Sequence, residues 1–135
     1  MDLRFLDTNI LLRHLLQDEP TQSPSATRYL AAIEAGQEKV RLADTVVFET
    51  VFRLQRQYGV PKADIRDKLL PLIDLSGIVL PGKRRLHEVF DLYVSYNISF
   101  ADAYHAILIK HLKLNEIVSY DRGLDKIPGI RRVEP

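Results

Sequence analysis

The feature that most constrains this chain is its rhythm. Short apolar runs alternate with longer stretches in which apolar residues recur every three to four positions, and Gly, Pro, Ser or Asp separates them. The short runs read as strands and the longer ones as amphipathic helices. Strands that alternate with helices imply parallel βαβ units, because a parallel neighbour is reached only through a crossover. The expected fold class is α/β: a short, mostly parallel central sheet flanked by helices, an α/β/α sandwich. In such sheets functional groups collect beyond the carboxyl ends of the strands.

The pattern predicts a strand over 3–7, then a helix from Thr8 to about Gln17 with Leu11, Leu12, Leu15 and Leu16 on one stripe. Ser23-Pro24 supplies a cap and a first helical residue for a second helix that Gly36 ends. A strand over 40–43 follows, and Asp44 is expected to cap a helix that Gly59 stops. Pro61 opens another helix to about Ile73, with Pro71 disturbing its last turn. The remaining elements are a strand over 77–80, a helix over 83–95 carrying Leu86, Val89, Phe90 and Tyr93, a helix over 99–112, a strand over 116–120 and an edge strand over 130–133.

Residues 1–135 are expected to form a single domain, the usual size for this length. With no cysteine, disulfides, thiolate catalysis and cysteine-ligated metal are excluded. The first residues lack the basic stretch and apolar core of a signal peptide, and no apolar run reaches the roughly 18 residues of a membrane span. A cytoplasmic location and no membrane partner are expected. Glycine-rich phosphate cradles, H-E-x-x-H and G-x-S-x-G are all missing. His105 and His111 fall on different helix faces and read as ordinary core or surface residues. The net charge of +1 gives no general attraction to polyanions, so any nucleic-acid role rests on local placement.

Four carboxylates stand out by position. Asp7 follows the first strand, Glu49 lies mid-helix between Val46 and Phe52, Asp102 lies in a first helical turn, and Asp121 follows a late strand. Each has a plain alternative. Asp7 could cap the next helix, Glu49 could pair with Arg53, Asp102 could complete a capping box with Ser99, and Asp121 could be a turn residue. As a set they are harder to explain away. Clustered carboxylates repel one another and resist desolvation, and the natural compensation is a hard divalent cation such as Mg²⁺ or Mn²⁺. The chemistry such sites serve is phosphoryl transfer.

At these residues the chain resembles the PIN domain, specifically the ribonuclease toxins of VapBC-type toxin–antitoxin pairs. The likeness runs through Asp7-Thr8-Asn9-Ile10-Leu11, Glu49 in its apolar helix, Phe100-Ala101-Asp102-Ala103-Tyr104-His105-Ala106, and Ile117-Val118-Ser119-Tyr120-Asp121 with Ile127-Pro128-Gly129-Ile130. Four motifs in this order cover essentially the whole chain. The resemblance implies a metal-dependent endoribonuclease that hydrolyses RNA phosphodiester bonds. By carry-over, Asp7, Glu49, Asp102 and Asp121 surround Mg²⁺ or Mn²⁺, directly or through waters. Thr8, Asn9 and Ser119 would orient those acids; their plain alternatives are helix-start residues and a strand-end hydroxyl. The resemblance further implies an RNA substrate, a homodimer and a cognate antitoxin protein.

Two departures from the family pattern are visible. Ser119 stands where threonine is common, and Arg122-Gly123-Leu124 replaces a basic–acidic–aromatic run, which makes Asp125 a nearby alternative to Asp121. A PIN-like binding module without cleavage and a PIN nuclease of RNA processing share the same motifs. A phospho-receiver domain would need paired acids after the first strand and a late lysine. A haloacid-dehalogenase-like phosphatase would need Asp where Asn9 stands. Lys83-Arg84-Arg85, Arg53 with Arg56, and Arg131-Arg132 are candidate phosphate contacts, or simply solvated charge.

Overall fold

The computed structural model describes residues 3–135. The chain divides into two compact units, Met1–Lys83 and Arg84–Pro135. The α/β class holds in both, and every strand pairing is parallel.

The first unit runs β1 (Arg4–Phe5), α1 (Thr8–Leu16), α2 (Gln22–Glu34), β2 (Val40–Arg41), α3 (Asp44–Arg56), α4 (Lys62–Ile73) and β3 (Ile78–Val79). Its sheet has the order β1-β2-β3, with Arg4 opposite Val40 and Val40 opposite Ile78. The strands are brief, and flanking backbone bonds extend the ladder: Leu6 N–H donates to Arg41 O and Leu42 N–H to Val79 O, both at 2.9 Å. Helix α1 packs on α2 and α3, and α3 on α4. Leu11, Leu12, Val47, Val51, Ile65 and Leu69 are at most 1% exposed, each contributing on the order of 1.5–3 kcal/mol of burial. Leu15 and Leu16, expected on the same stripe, are only half-buried. Gly77 precedes β3 because a Cβ there would sit 2.7 Å from Ile33 Cγ2 and 3.0 Å from Glu38 O, too close for any side chain.

Three details of the sequence reading change in this unit. Helix α2 starts at Gln22, one residue before the expected cap. Ser23 is buried within it and its Oγ accepts from Glu19 N–H at 3.2 Å, fixing the approach to the helix. Asp44 is the first helical residue of α3, while Ala43 holds the extended cap position with no side-chain bond, so Asp44 meets the positive helix end as a first-turn charge. Lys83 belongs here as well, not to the next helix. Its Nζ donates to the carbonyls of Ile73, Leu75 and Ile78 at 3.0, 2.8 and 2.9 Å, closing the carboxyl end of α4 onto β3. Burial holds its ammonium below the usual lysine range, with Asp74 opposing that shift. Lys83 is therefore a structural cation and leaves the candidate phosphate contacts.

The second unit runs α5 (Arg85–Ser95), α6 (Phe100–His111), β4 (Glu116–Val118), a 3-10 turn (Arg122–Lys126) and β5 (Arg131–Val133). Strands β4 and β5 form their own two-stranded sheet, Ile117 opposite Arg132. The predicted stripe is borne out: Leu86, Val89, Phe90 and Tyr93 are at most 2% exposed. Phe100 caps this core, its ring 4.8 Å from Phe90 and 5.4 Å from Tyr93 in the tilted and edge-on arrangements aromatic rings prefer. Burial pushes the Tyr93 phenol up to about 12. Among the described residues, no helix is long and apolar enough to cross a membrane.

Candidate active site

In the first unit, Asp7 ends the link from β1 and occupies the cap position of α1, its backbone extended at φ −92°, ψ 162°. A cap acid ordinarily accepts from the first-turn N–H groups. Asp7 makes no such bond, so its exposed carboxylate is not committed to the helix. Thr8, next in line, is only 3% exposed. Its hydroxyl donates to Glu49 Oε2 at 3.0 Å across 41 residues of sequence. That bond ties a carboxylate of α3 to the start of α1. Asn9 is exposed on α1.

Glu49 itself is exposed on α3. Val46 beside it is buried, but Phe52 is 62% exposed, so Glu49 borders the apolar stripe on one side and not on both as the pattern suggested. The alternative pairing with Arg53 is not formed: Arg53 Nε donates to Gln57 Oε1 at 3.1 Å instead.

In the second unit, Ser99 caps α6 and its Oγ accepts from Asp102 N–H at 3.1 Å. The Asp102 backbone thus serves the cap, as the Ser99-x-x-Asp102 spacing suggested. Its carboxyl serves something else. Burial holds it above the usual aspartate range, and the charge of Asp121 and a hydrogen bond shared with Asp121 push the same way. A hydrogen bond to Ser99 and the nearby His105 partly oppose the rise. The carboxylates of Asp102, in α6, and Asp121, after β4, are thus near enough for the charge of one to oppose ionisation of the other. Two like charges there cannot both ionise without cost.

A tight local framework holds Asp121 in that position. Its N–H donates to Ser119 Oγ at 3.0 Å, and its Oδ1 accepts from Gly123 N–H at 2.9 Å. Ser119 thus orients this acid through the backbone. A Cβ at position 123 would lie 3.0 Å from Asp121 Oδ1, so a side chain there would push that carboxylate oxygen aside by a few tenths of an ångström. The alternative acid, Asp125, is engaged elsewhere: Arg132 Nε and Nη2 reach its two oxygens at 3.0 and 3.4 Å. Arg132 also donates to Ser119 O at 2.9 Å and to Glu134 at 3.0 Å, binding β5, β4 and the 3-10 turn together. Sequence reasoning missed this hub, because a guanidinium beside a second arginine in an edge strand carries no signal of its partners.

Among the described residues, no group of three or more histidine, aspartate or glutamate side chains is gathered closely enough to hold a metal ion. The donors present are nonetheless of the right kind. The Asp102–Asp121 pair repels itself and offers only hard oxygen ligands, which suits Mg²⁺ or Mn²⁺ and no soft metal.

Comparison with known proteins decides the family. The profile of the PIN domain matches residues 4–130. The chain belongs to the PIN domain family. A curated relative, the VapC ribonuclease of Aquifex aeolicus (strain VF5), is 23% identical over 133 residues, covering 98% of this chain and 97% of that protein. The match to the PIN profile spans Asp7, Glu49, Asp102 and Asp121 alike.

Proposed function

We propose that this PIN domain is a divalent-metal-dependent endoribonuclease, the toxin of a toxin–antitoxin pair, and that its whole chain acts as one domain. The observation that carries the reading is the carboxylate pair of Asp102 and Asp121, in which the charge of Asp121 opposes ionisation of Asp102, a conflict that a bound cation would relieve. The likeness to a VapC ribonuclease supports RNA as the substrate class. Asp7, Glu49, Asp102 and Asp121 are the residues that would hold Mg²⁺ or Mn²⁺. When bound, such an ion supplies charge neutralisation beside an RNA phosphodiester and acidifies a nucleophilic water.

The chain's own residues have distinct parts. Thr8 donates its hydroxyl to Glu49 Oε2 and so steadies that carboxylate. Ser119 and Gly123 hold the backbone and one oxygen of Asp121. Asp7 contributes a carboxylate with no helix-capping duty. Asn9 joins them as a neutral amide two residues beyond Asp7. An RNA substrate, a homodimer, a cognate antitoxin and a cytoplasmic location complete the proposal.

The test is cleavage of single-stranded RNA by the purified full chain with Mn²⁺, with Mg²⁺ and with a chelator. Cleavage that requires the metal supports the reading. RNA left intact under every metal condition by folded protein overturns it. A PIN-like module that only binds RNA would show affinity without products.

A further inference from the structure

Strand β4 ends at Val118, and Asp121 stands beyond it, just before the 3-10 turn that begins at Arg122. A carboxylate on such a segment is only as well placed as the backbone on either side of it. Ser119 holds the near side. Its N–H donates to Val133 O at 3.0 Å, and its Oγ accepts from Asp121 N–H at 3.0 Å. The turn holds the far side, where Leu124 N–H donates to Asp121 O at 3.2 Å and Gly123 N–H to Asp121 Oδ1 at 2.9 Å. One side chain of β5 spans both sides. Arg132 Nη1 donates to Ser119 O at 2.9 Å, on the near side of Asp121. Arg132 Nε and Nη2 reach Asp125 Oδ1 and Oδ2 at 3.0 and 3.4 Å, on the far side. Glu134 Oε1 also accepts from Nη1, at 3.0 Å, but lies outside the segment.

We propose that Arg132 is a positioning residue for the acidic site: by bracing Ser119 and Asp125 against β5, it sets where the Asp121 carboxylate stands. The proposal rests on the ribonuclease reading and adds to it a residue that acts through the backbone of an acid. The rival use of Arg132, as a phosphate contact, conflicts with its bonds, because all three guanidinium nitrogens already have partners within the chain. The geometry calls for arginine in particular. A guanidinium is a planar fork with donors in fixed directions, so one edge meets a carboxylate while the other meets a carbonyl. Lysine carries the same charge on a single nitrogen and does not reproduce that fork. Asp125 and Glu134 are exposed, and ion pairs to exposed acids add little to stability. The worth of the clamp therefore lies in where it puts Asp121.

The experiment compares the full chain with Arg132→Lys, Asp125→Asn and Glu134→Gln, each shown to fold by its melting curve. Asp125→Asn and Glu134→Gln remove the same charge and weaken one arm each, but only the first arm grips the segment. Two readouts are taken: amide hydrogen exchange at Asp121 and Gly123 without metal, and kcat and KM of RNA cleavage with Mn²⁺. Arg132→Lys and Asp125→Asn are expected to lose protection at both amides. They are also expected to lower kcat by about 10–100-fold with KM within about twofold, the loss typical of a partner that orients a metal ligand. Glu134→Gln is expected to match wild type in both readouts. Should Arg132→Lys fail to fold, Asp125→Asn against Glu134→Gln carries the same test. Wild-type kcat and protection in Arg132→Lys and Asp125→Asn overturn the proposal and leave the ribonuclease reading standing. So does a rise in KM alone, which makes Arg132 a phosphate contact, or an equal loss in all three variants, which makes it a general support of β5. If folded wild type cleaves no RNA with any metal, the ribonuclease reading falls, and protection at Asp121 and Gly123 alone decides whether Arg132 sets their position.

Discussion

Replacing Asp121 with asparagine removes one charge from the Asp102–Asp121 pair and little else. The asparagine oxygen still accepts from Gly123 N–H, so the 3-10 turn keeps its cap. The side-chain amide can also donate to Asp102. Two unit charges about 4 Å apart cost about 1 kcal/mol in a water-like medium and about 4 kcal/mol at an effective dielectric of 20. Asp102 is half-buried and Asp121 exposed, so solvent screening puts the relief at the low end, about 0.5–1 kcal/mol. For a chain of this size that is a rise of roughly 1–4 °C in Tm. The sign with pH follows from the direction of the shift. Asp102 is held above its unfolded value, so ionising it costs stability above its folded value and costs nothing below the unfolded one. The advantage of Asp121→Asn over wild type is thus full at neutral pH, shrinks as the pH falls through the raised folded value of Asp102, and vanishes only well below about 3.9, where Asp102 is protonated in both the folded and the unfolded chain. Calorimetric melting in chelator at pH 7.5 and at pH 4 measures it. With Mn²⁺ the order should reverse, because wild type gains more from the ion. An apo Tm that falls at pH 7.5, or a gain that persists undiminished at pH 4, would refute the reasoning.

The remaining predictions concern the supports of the site and the core. Thr8→Val removes the hydroxyl that holds Glu49; Tm should change by at most about 1 kcal/mol equivalent while RNA cleavage falls roughly 10–100-fold. Unchanged cleavage by the folded variant would show that Thr8 does not orient the acid. Lys83→Met leaves three carbonyls without their donor, so urea unfolding should show a loss of about 1–2 kcal/mol, with RNA affinity unaffected because this cation faces the backbone. Phe90→Ala opens the aromatic cluster with Tyr93 and Phe100 and should cost about 3–5 kcal/mol, measured the same way.

Helical periodicity was legible wherever one face meets a core, as the burial of Leu86, Val89, Phe90 and Tyr93 shows. Strand positions were legible too, but the paired lengths are shorter than the apolar runs, because only two or three residues of each enter a ladder. Caps were less legible. Ser23 and Asp44 are good cap residues by type, yet Ser23 was drawn into the helix by its bond to Glu19 N–H, and Ala43 took the cap of α3. The acids were visible because each follows a strand or starts or sits within a helix in a recurring motif. Their supports were visible only in part: Thr8 to Glu49 spans 41 residues, and no local pattern encodes such a bond. The same limit hid Lys83 and Arg132, whose partners are backbone carbonyls and acids brought close by folding. Phe52 shows the converse error, an apolar residue at helical spacing that faces solvent.

The central proposal is that Asp7, Glu49, Asp102 and Asp121 serve a metal-dependent ribonuclease activity. It is tested most directly by measuring Mn²⁺-dependent RNA cleavage by wild type, Asp7→Asn and Asp102→Asn, each confirmed as folded by its melting curve. The account predicts rapid cleavage by wild type and loss of cleavage in both variants, one from each unit. Full activity retained by either folded variant would contradict it.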